Sequence, residues 1–312
     1  MSVDSVIELR GLEKSFKGHL GIGTHPAVNG LDLEVRRGEI FGLLGPNGAG
    51  KTTTLKMLVG LLRPDRGEVR ILGRPPSDPA ARARIGFLPE NPYFYDYLTA
   101  REFLHFYGRL QGMRMPGRAE RVDATLRRVG LGNRGDVALR KFSKGMVQRI
   151  GLAQSILHDP DLVILDEPMS GLDPAGRRDV RDLILAQREA GKTVFFSSHI
   201  LQDAEMICDR VAILVEGRLR YAGSLDQVAG RRTLWIEAAV VGELPAPWHD
   251  DVLASHGDRS LVKVPDIESL ARLLNDVSAG GGRVASIWPR TETLEDLFLR
   301  EVGASSSEET RS

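Results

Sequence analysis

The sequence predicts an α/β protein: a phosphate-loop nucleotide fold fronted by an antiparallel β layer, interrupted by a helical insert and followed by a small α+β domain. Three observations carry this reading. The apolar run Ile40-Phe41-Gly42-Leu43-Leu44 leads into a glycine loop and then a helical pattern. The strand–helix alternation breaks off near Asn91 and resumes at Leu162. After Gly223 the pattern changes again, and all three tryptophans (Trp235, Trp248, Trp288) fall in that last part.

In chain order, Val6 to Phe16 and Leu31 to Val35 read as edge strands of the opening β layer. Leu31, Leu33 and Val35 alternate with Asp32 and Glu34, the period-2 pattern of a half-buried strand. Lys17 to Pro26 between them is polar and glycine-containing, an extended loop. Ile40 to Leu44 is a short apolar run bounded by turn residues and suits a buried strand. Next comes Gly45-Pro46-Asn47-Gly48-Ala49-Gly50-Lys51-Thr52, the G-x-x-x-x-G-K-T pattern, and after Lys51 a helix begins at Thr52 with Leu55, Leu58 and Val59 on one face. Strand, glycine loop and helix form the context in which that pattern holds phosphate. Glycines let backbone N–H groups face phosphate oxygens, and the helix N-terminus adds partial positive charge. Lys51 is the residue to reach the β and γ phosphates, and the Thr52 hydroxyl is the residue to ligate Mg²⁺.

Strands are expected over Glu68 to Leu72 and Arg84 to Leu88. Thr99 and Glu102 form a capping box, and Phe103, Phe106, Tyr107 and Leu110 continue as an amphipathic helix. Further helices are expected over Ala119 to Val129 and from Ser143 through Leu157, so an all-helical insert spans about 91–157. Leu162-Val163-Ile164-Leu165 is a buried strand ending in Asp166-Glu167. Asp173-Pro174 opens a helix with Asp at the N-cap and Pro at N1. Thr193 to Ser197 is a strand that leads to His199, and Arg210 to Tyr221 is a closing hairpin turning at Glu216-Gly217. Beyond it, strands are expected over Thr233 to Val240, Ser260 to Val264 and Arg283 to Trp288. Helices are expected over Asp266 to Val277 and Thr291 to Val302, and Ala304 to Ser312 reads as a disordered tail. The domains are thus 1–223, 224–303 and the tail 304–312.

Composition narrows the class. Lys plus Arg and Asp plus Glu are 42 each, so no global field draws the chain to nucleic acid or anionic lipid, and no nucleic-acid partner is expected. No apolar run reaches the ~18–20 residues that span a bilayer. The opening Met1 to Glu8 carries acids where a secretion signal has basic and apolar blocks, which makes a cytoplasmic location the expectation. The single cysteine, Cys208, excludes an intramolecular disulfide and reads as a packing residue.

A second group of residues belongs with the loop. An Asp at the end of a buried strand, Asp166, can hold Mg²⁺ through its hydration shell, and the adjacent Glu167 can polarise a water for in-line attack. His199, after the next strand, can bond the γ phosphate or orient that water. Alone, each of these is a common strand-end residue. Ahead of them stands Phe142-Ser143-Lys144-Gly145-Met146-Val147-Gln148-Arg149, and after them Ser170-Gly171-Leu172-Asp173.

With those motifs in order, the stretch from about Val6 to Gly223 resembles the ABC-type ATPases, and most closely the cytoplasmic ATP-binding subunits that serve a separate exporter-type permease. The segment Thr293 to Leu299 is similar to the C-terminal part of that subclass. The resemblance implies a head-to-tail pair of nucleotide domains, most simply a homodimer. Ser143, Gly145 and Met146 of one domain, with the D-loop Asp173, would face ATP held by the other. It further implies Mg-ATP as the ligand, Gly45, Pro46, Asn47, Gly48, Ala49, Gly50, Lys51, Thr52 and Thr53 around its phosphates, and Thr52, Glu90 and Asp166 toward the metal. Glu167 and His199 are implied as the catalytic pair, an integral membrane permease as partner, and a peripheral place on the inner face of the cell membrane. Phe16 stands where an aromatic stacks on adenine; as an aromatic after a strand it serves a core equally well. Lys144 replaces the usual glycine, and Glu90 replaces a glutamine; an ionised carboxylate still ligates Mg²⁺ but donates no hydrogen bond. Tyr93, Phe94, Tyr95 and Tyr97 follow Glu90, either as a groove for a permease helix or as packing under the insert. A soluble ABC protein acting on ribosomes or nucleic acid, and a phosphate-loop kinase, are the competing classes. The first usually has two cassettes or a coiled-coil insertion, and the second leaves the Ser143 and Asp173 motifs without a purpose.

Overall fold

The computed structural model describes residues 5–17, 23–225, 233–291 and 293–300. The chain divides into two compact units, one running to Ser224 and one beginning at Leu225.

In the first unit, β1 (Ser5–Lys17), β2 (Thr24–Arg36) and β4 (Arg66–Ile71) form a three-stranded antiparallel sheet in the order β2-β1-β4. This corrects one expectation: β1 is the central strand, with Ile7 opposite both Val35 and Ile71. Its Val6, Ile7, Leu9 and Leu12 are buried accordingly. The expected loop also shrinks, because β2 begins at Thr24 and pairs with β1 from Lys17 onward; residues 18–22 of that loop lie outside the described residues.

The second sheet has six strands in the order β5-β6-β7-β3-β8-β9. They are β3 (Ile40–Leu44), β5 (Ile85–Leu88), β6 (Leu162–Leu165), β7 (Thr193–Ser198), β8 (Arg210–Val215) and β9 (Arg218–Ser224). The first five are parallel, and β9 runs antiparallel to β8. β3, β6 and β7 are buried at every position, as near-continuous apolar strands covered on both faces must be. The β8–β9 turn places Glu216 and Gly217 at φ 50° and 75°, the two left-handed positions of a tight hairpin. Between the sheets lies the main core, with Leu31, Val35, Phe41, Leu43, Leu55 and Phe195 inside.

Helix α1 (Lys51–Leu58) follows the glycine loop, and α2 (Pro79–Arg82) is a single turn capped by Asp78. The insert contains α3 (Ala100–Leu110), α4 (Gly117–Arg128) and α5 (Lys144–Ile156) around their own core of Phe103, Leu104, Val122, Leu126 and Ile150. Thr99 and Glu102 make both hydrogen bonds of the capping box at the start of α3. α5 also lies on β5, where Gly151 faces Leu88 so closely that a Cβ would stand 2.6 Å from Leu88 Cδ1. Completing the unit are α6 (Pro174–Glu189) and α7 (Leu201–Ile207). Cys208 is the buried residue just past α7, and burial pushes its thiol pKa well up, as a packing role requires.

The second unit is a four-stranded antiparallel sheet in the order β11-β12-β10-β13. Its strands are β10 (Thr233–Val241), β11 (Val252–His256), β12 (Arg259–Val264) and β13 (Arg283–Thr291), with α8 (Ile267–Ala279) between the last two. β11 is a strand the sequence pattern did not show, because none of its five residues is buried. Ile236, Val240, Trp248, Val262, Leu273 and Val277 form its core. Residues 294–300 are helical; the expected helix end at Val302 and the tail from Ala304 lie outside the described residues. Among the described residues no helix is long and apolar enough to cross a membrane.

Candidate functional site

The loop between β3 and α1 sits at the carboxyl ends of the parallel strands, where open α/β sheets place their ligands. Gly50 caps α1 with no side-chain bond, at φ 99°, and a Cβ there would collide with the Ala27 carbonyl of β2. Thus the antiparallel layer buttresses the loop from outside, and the hairpin tip adds Gly217 N–H to the Ala49 carbonyl at 3.1 Å. Gly45 is needed for a different reason: a Cβ there would strike the Leu214 carbonyl.

A cavity of about 480 Å³ lies over the loop, lined by residues 46–53 with Ala27, Glu90, Glu167, Ser170 and His199. Lys51, only 6% exposed, donates to the Gly45 carbonyl at 2.7 Å and the Pro46 carbonyl at 3.2 Å. It also pairs with Glu167 Oε1 at 3.2 Å. The other carboxylate oxygen of Glu167 meets His199 Nδ1 at 2.8 Å and the His199 backbone N–H at 3.4 Å. Glu167 adopts φ 50°, a left-handed conformation rare for a side chain of its size and typical of strained functional positions.

Asp166 is buried beside it. Its Oδ1 accepts from Ser197 Oγ at 2.7 Å and from Thr52 Oγ1 at 3.2 Å. Burial raises the Asp166 pKa, against the pull of those two hydrogen bonds. Ser197 Oγ in turn accepts the Glu167 N–H at 2.9 Å, so one hydroxyl orients both acids. Sequence reasoning missed Ser197; its place two residues before His199 at the end of β7 was the available signal. Also missed was Gln148, whose buried amide donates to the Pro168 carbonyl at 2.8 Å and ties α5 to the segment after the acids.

The other expected residues are elsewhere. Ser143 caps α5, accepting the Met146 N–H at 3.4 Å, and Asp173 caps α6, accepting the Gly176 N–H at 2.8 Å. Ser143, Lys144, Gly145, Gly171 and Asp173 line a second cavity of about 410 Å³, which shares no lining residue with the first. Lys144 lies across Gly171, which sits at φ 66° and whose missing Cβ leaves room for the Lys144 amine. The Met146 side chain packs into the insert core. Phe16 faces His25 across β1–β2, is 43% exposed, and has Lys14 Nζ 5.9 Å from its ring centre; it does not line the loop cavity.

The four aromatics after Glu90 divide. Phe94 turns inward onto Phe103, with ring centres 4.6 Å apart, while Tyr93, Tyr95 and Tyr97 are exposed.

A parallel-sheet fold with a glycine loop after β3, a lysine in it, and paired acids at the end of β6, two strands away across β7, defines a phosphate-loop nucleotide-hydrolysing protein. Comparison with known proteins narrows the class. The ABC transporter family model matches residues 28–170. An ABC transporter ATP-binding protein of Synechocystis sp. is 44% identical over 87% of this chain and 77% of its own length. The Nod factor export ATP-binding protein I of Burkholderia lata is 36% identical, covering 95% and 97%. The bacitracin transport ATP-binding protein of Bacillus licheniformis is 36% identical, covering 90% and 94%. A solved ATP-binding subunit of an ABC transporter superposes with a TM-score of 0.64 at 32% identity, over 72% of this chain and 91% of that one. The chain belongs to the ATP-binding subunits of ABC transporters, and it is an ATPase.

Proposed function

We propose that the chain is the motor subunit of an exporter: it binds Mg-ATP head to tail with a second copy of itself, hydrolyses it, and drives a separate membrane permease. The observation that carries this reading is the separation of the two cavities. One holds Lys51, Glu90, Glu167 and His199; the other holds the N-terminus of α5 with Ser143 and Gly145, an anion site in waiting. Each has half of what a γ phosphate needs, and a head-to-tail pair brings the halves together. A relative named for Nod factor export supports the export direction.

In this reading the loop N–H groups from Asn47 to Thr53 and the Lys51 ammonium bind the phosphates. Lys51 leaves Glu167 to do so. Glu167 then accepts a proton from the attacking water, while His199 holds its second oxygen. Mg²⁺ fits the donor set: Thr52 Oγ1 and Asp166 Oδ1 are hard oxygens within 3.2 Å of one another, and Glu90 lines the same cavity. The metal would neutralise charge on the outer phosphates. Among the described residues no three acids and histidines cluster as a metal cage, in keeping with an ion held partly by water and substrate.

Tyr93, Tyr95 and Tyr97 are the proposed seat of the permease, with Tyr95 packed edge-on against exposed Phe106 at 5.6 Å. Aromatic anchors of this kind dominate partner interfaces. Phe16 is proposed as the adenine platform. The second unit, whose described residues hold no catalytic constellation, is proposed as a regulatory or dimer-supporting domain, and the protein as peripheral on the cytoplasmic face of the membrane.

The test is recovery of the tagged protein from native membranes. A polytopic membrane protein should accompany it, and Tyr93→Ala with Tyr95→Ala should lose that partner while keeping ATP binding. Recovery on ribosomes or DNA would overturn the transporter reading. In a hydrolysis-deficient background, Ser143→Arg should bind ATP yet fail to dimerise; ATP-driven dimers of that variant would remove the head-to-tail site.

A further inference from the structure

Outside both cavities, one charge cluster around a buried carboxylate joins the segment after His199 to the segment before Asp173. Asp203, on α7, is 3% exposed. Its Oδ1 accepts from Arg181 Nη1 at 2.7 Å. Its Oδ2 has no hydrogen-bond partner and faces Arg177 Nη1 at 4.0 Å. Arg177 Nε donates to the Leu172 carbonyl at 3.2 Å, the peptide group that leads directly into Asp173.

Three features make this more than packing. A buried carboxylate oxygen without a donor is costly and rare in native proteins, and asks for an explanation. Arg177 and Arg181 are partly exposed, and ion pairs of that kind contribute little net stability, so folding alone does not call for two arginines here. Closing the gap from 4.0 Å to ordinary hydrogen-bond length takes about 1 Å of travel by the Arg177 guanidinium. That travel drags on the Leu172 carbonyl through Nε, because the guanidinium is a rigid plane.

We infer that Asp203 and Arg177 are positioning residues that close on each other when the Leu172–Asp173 segment engages a second nucleotide domain, and so transmit that engagement along α7 to His199. The inference rests on the head-to-tail reading and on the role of His199 given above. Arg181 anchors Asp203 through its own hydrogen bond. Among the described residues, Arg177 is the arginine that both bonds the Leu172 carbonyl and faces Asp203. Occupancy of one site thereby sets the geometry of the histidine in the other, which yields cooperative turnover.

The experiment measures ATP turnover against ATP concentration for the purified full-length protein and for Arg177→Ala, Arg177→Lys and Arg181→Lys. Arg177→Ala should melt close to wild type, lose its Hill slope, and drop kcat about five- to tenfold with KM moved less than about twofold. Lysine has one ammonium and cannot reach Asp203 and Leu172 together, so Arg177→Lys should fall between; it also serves if the alanine variant does not fold. Arg181→Lys should keep the Hill slope. Wild-type slope and kcat in the Arg177 variants would overturn the inference, as would an equal loss in Arg181→Lys, which marks general α6–α7 packing. His199→Ala separates the two levels. If it turns over normally, the assigned role of His199 fails; if it is inactive while the Arg177 variants behave as wild type, only the coupling fails.

Discussion

Glu167→Gln tests how the nucleotide-free site is held. In the structure Glu167 and Lys51 pair at 3.2 Å with both side chains under a tenth exposed. Coulomb attraction at that distance is about 5 kcal/mol at an effective dielectric constant of about 20. Desolvation of both groups offsets much of it, and removing one member of such a pair costs at most about 3–5 kcal/mol. Two features lower the cost here: Lys51 keeps the Gly45 and Pro46 carbonyls, and a glutamine amide oxygen still accepts from it. A net loss of about 1–2 kcal/mol is the reasoned value. For a unit the size of residues 1–224, each kcal/mol moves Tm about 2–4 °C, so the nucleotide-free variant should melt about 2–8 °C lower. Because phosphate no longer has to displace a carboxylate from Lys51, the same energy should return as ATP affinity about five- to thirtyfold tighter. Thermal melts without nucleotide and with saturating ATP read both terms, and the ATP-induced rise should be larger in the variant, with turnover lost. Equal rises in variant and wild type would show that Glu167 does not restrain Lys51, and retained turnover would remove Glu167 as the base.

Two further changes probe the neighbourhood. Asp166 has its pKa raised by burial, so its folded form holds a proton more tightly than the unfolded chain; stability falls as pH climbs from the ordinary carboxylate range through the raised value and stays lower above it. Asp166→Asn should therefore raise Tm at neutral pH and flatten that acid-side slope while losing turnover; a variant that melts lower at pH 7 contradicts the sign. Gly42→Ala would place a Cβ 2.9 Å from Cys208 Sγ and 3.4 Å from Val211 Cγ1, which should cost about 1–3 kcal/mol in a urea melt, and Cys208→Ala in the same chain should recover most of it.

The core of the fold was readable because its elements are strongly patterned. β3, β6 and β7 are unbroken apolar runs, and the caps at Thr99, Ser143 and Asp173 stand where their residue types indicate. Two places were not readable, for different physical reasons. β1 is central in a sheet, and its register shifts repeatedly against β2, so alternation along the strand does not reveal how many neighbours it has. β11 is a partly and fully exposed edge strand, held by main-chain pairing to β12, and pairing leaves no trace in side-chain pattern.

At the site the division follows the same logic. Residues with intrinsic chemistry in a local motif, such as Lys51, Thr52, Asp166 and Glu167, announce themselves through spacing. Residues that act through another, such as Ser197 on Asp166 and Glu167, or Arg177 on Leu172 and Asp203, are ordinary types whose meaning depends on which strand end or helix face lies opposite. The glycine loop is legible alone, yet its lysine is occupied by Glu167 and two carbonyls, and the N-terminal end of α5 opens into a different cavity. A single chain therefore holds the glycine loop in one cavity and the start of α5 in another, with no lining residue in common. In the proposed head-to-tail pair, the Asp173 segment of one domain meets the other, and Arg177 is the side chain that joins that segment to the helix following His199.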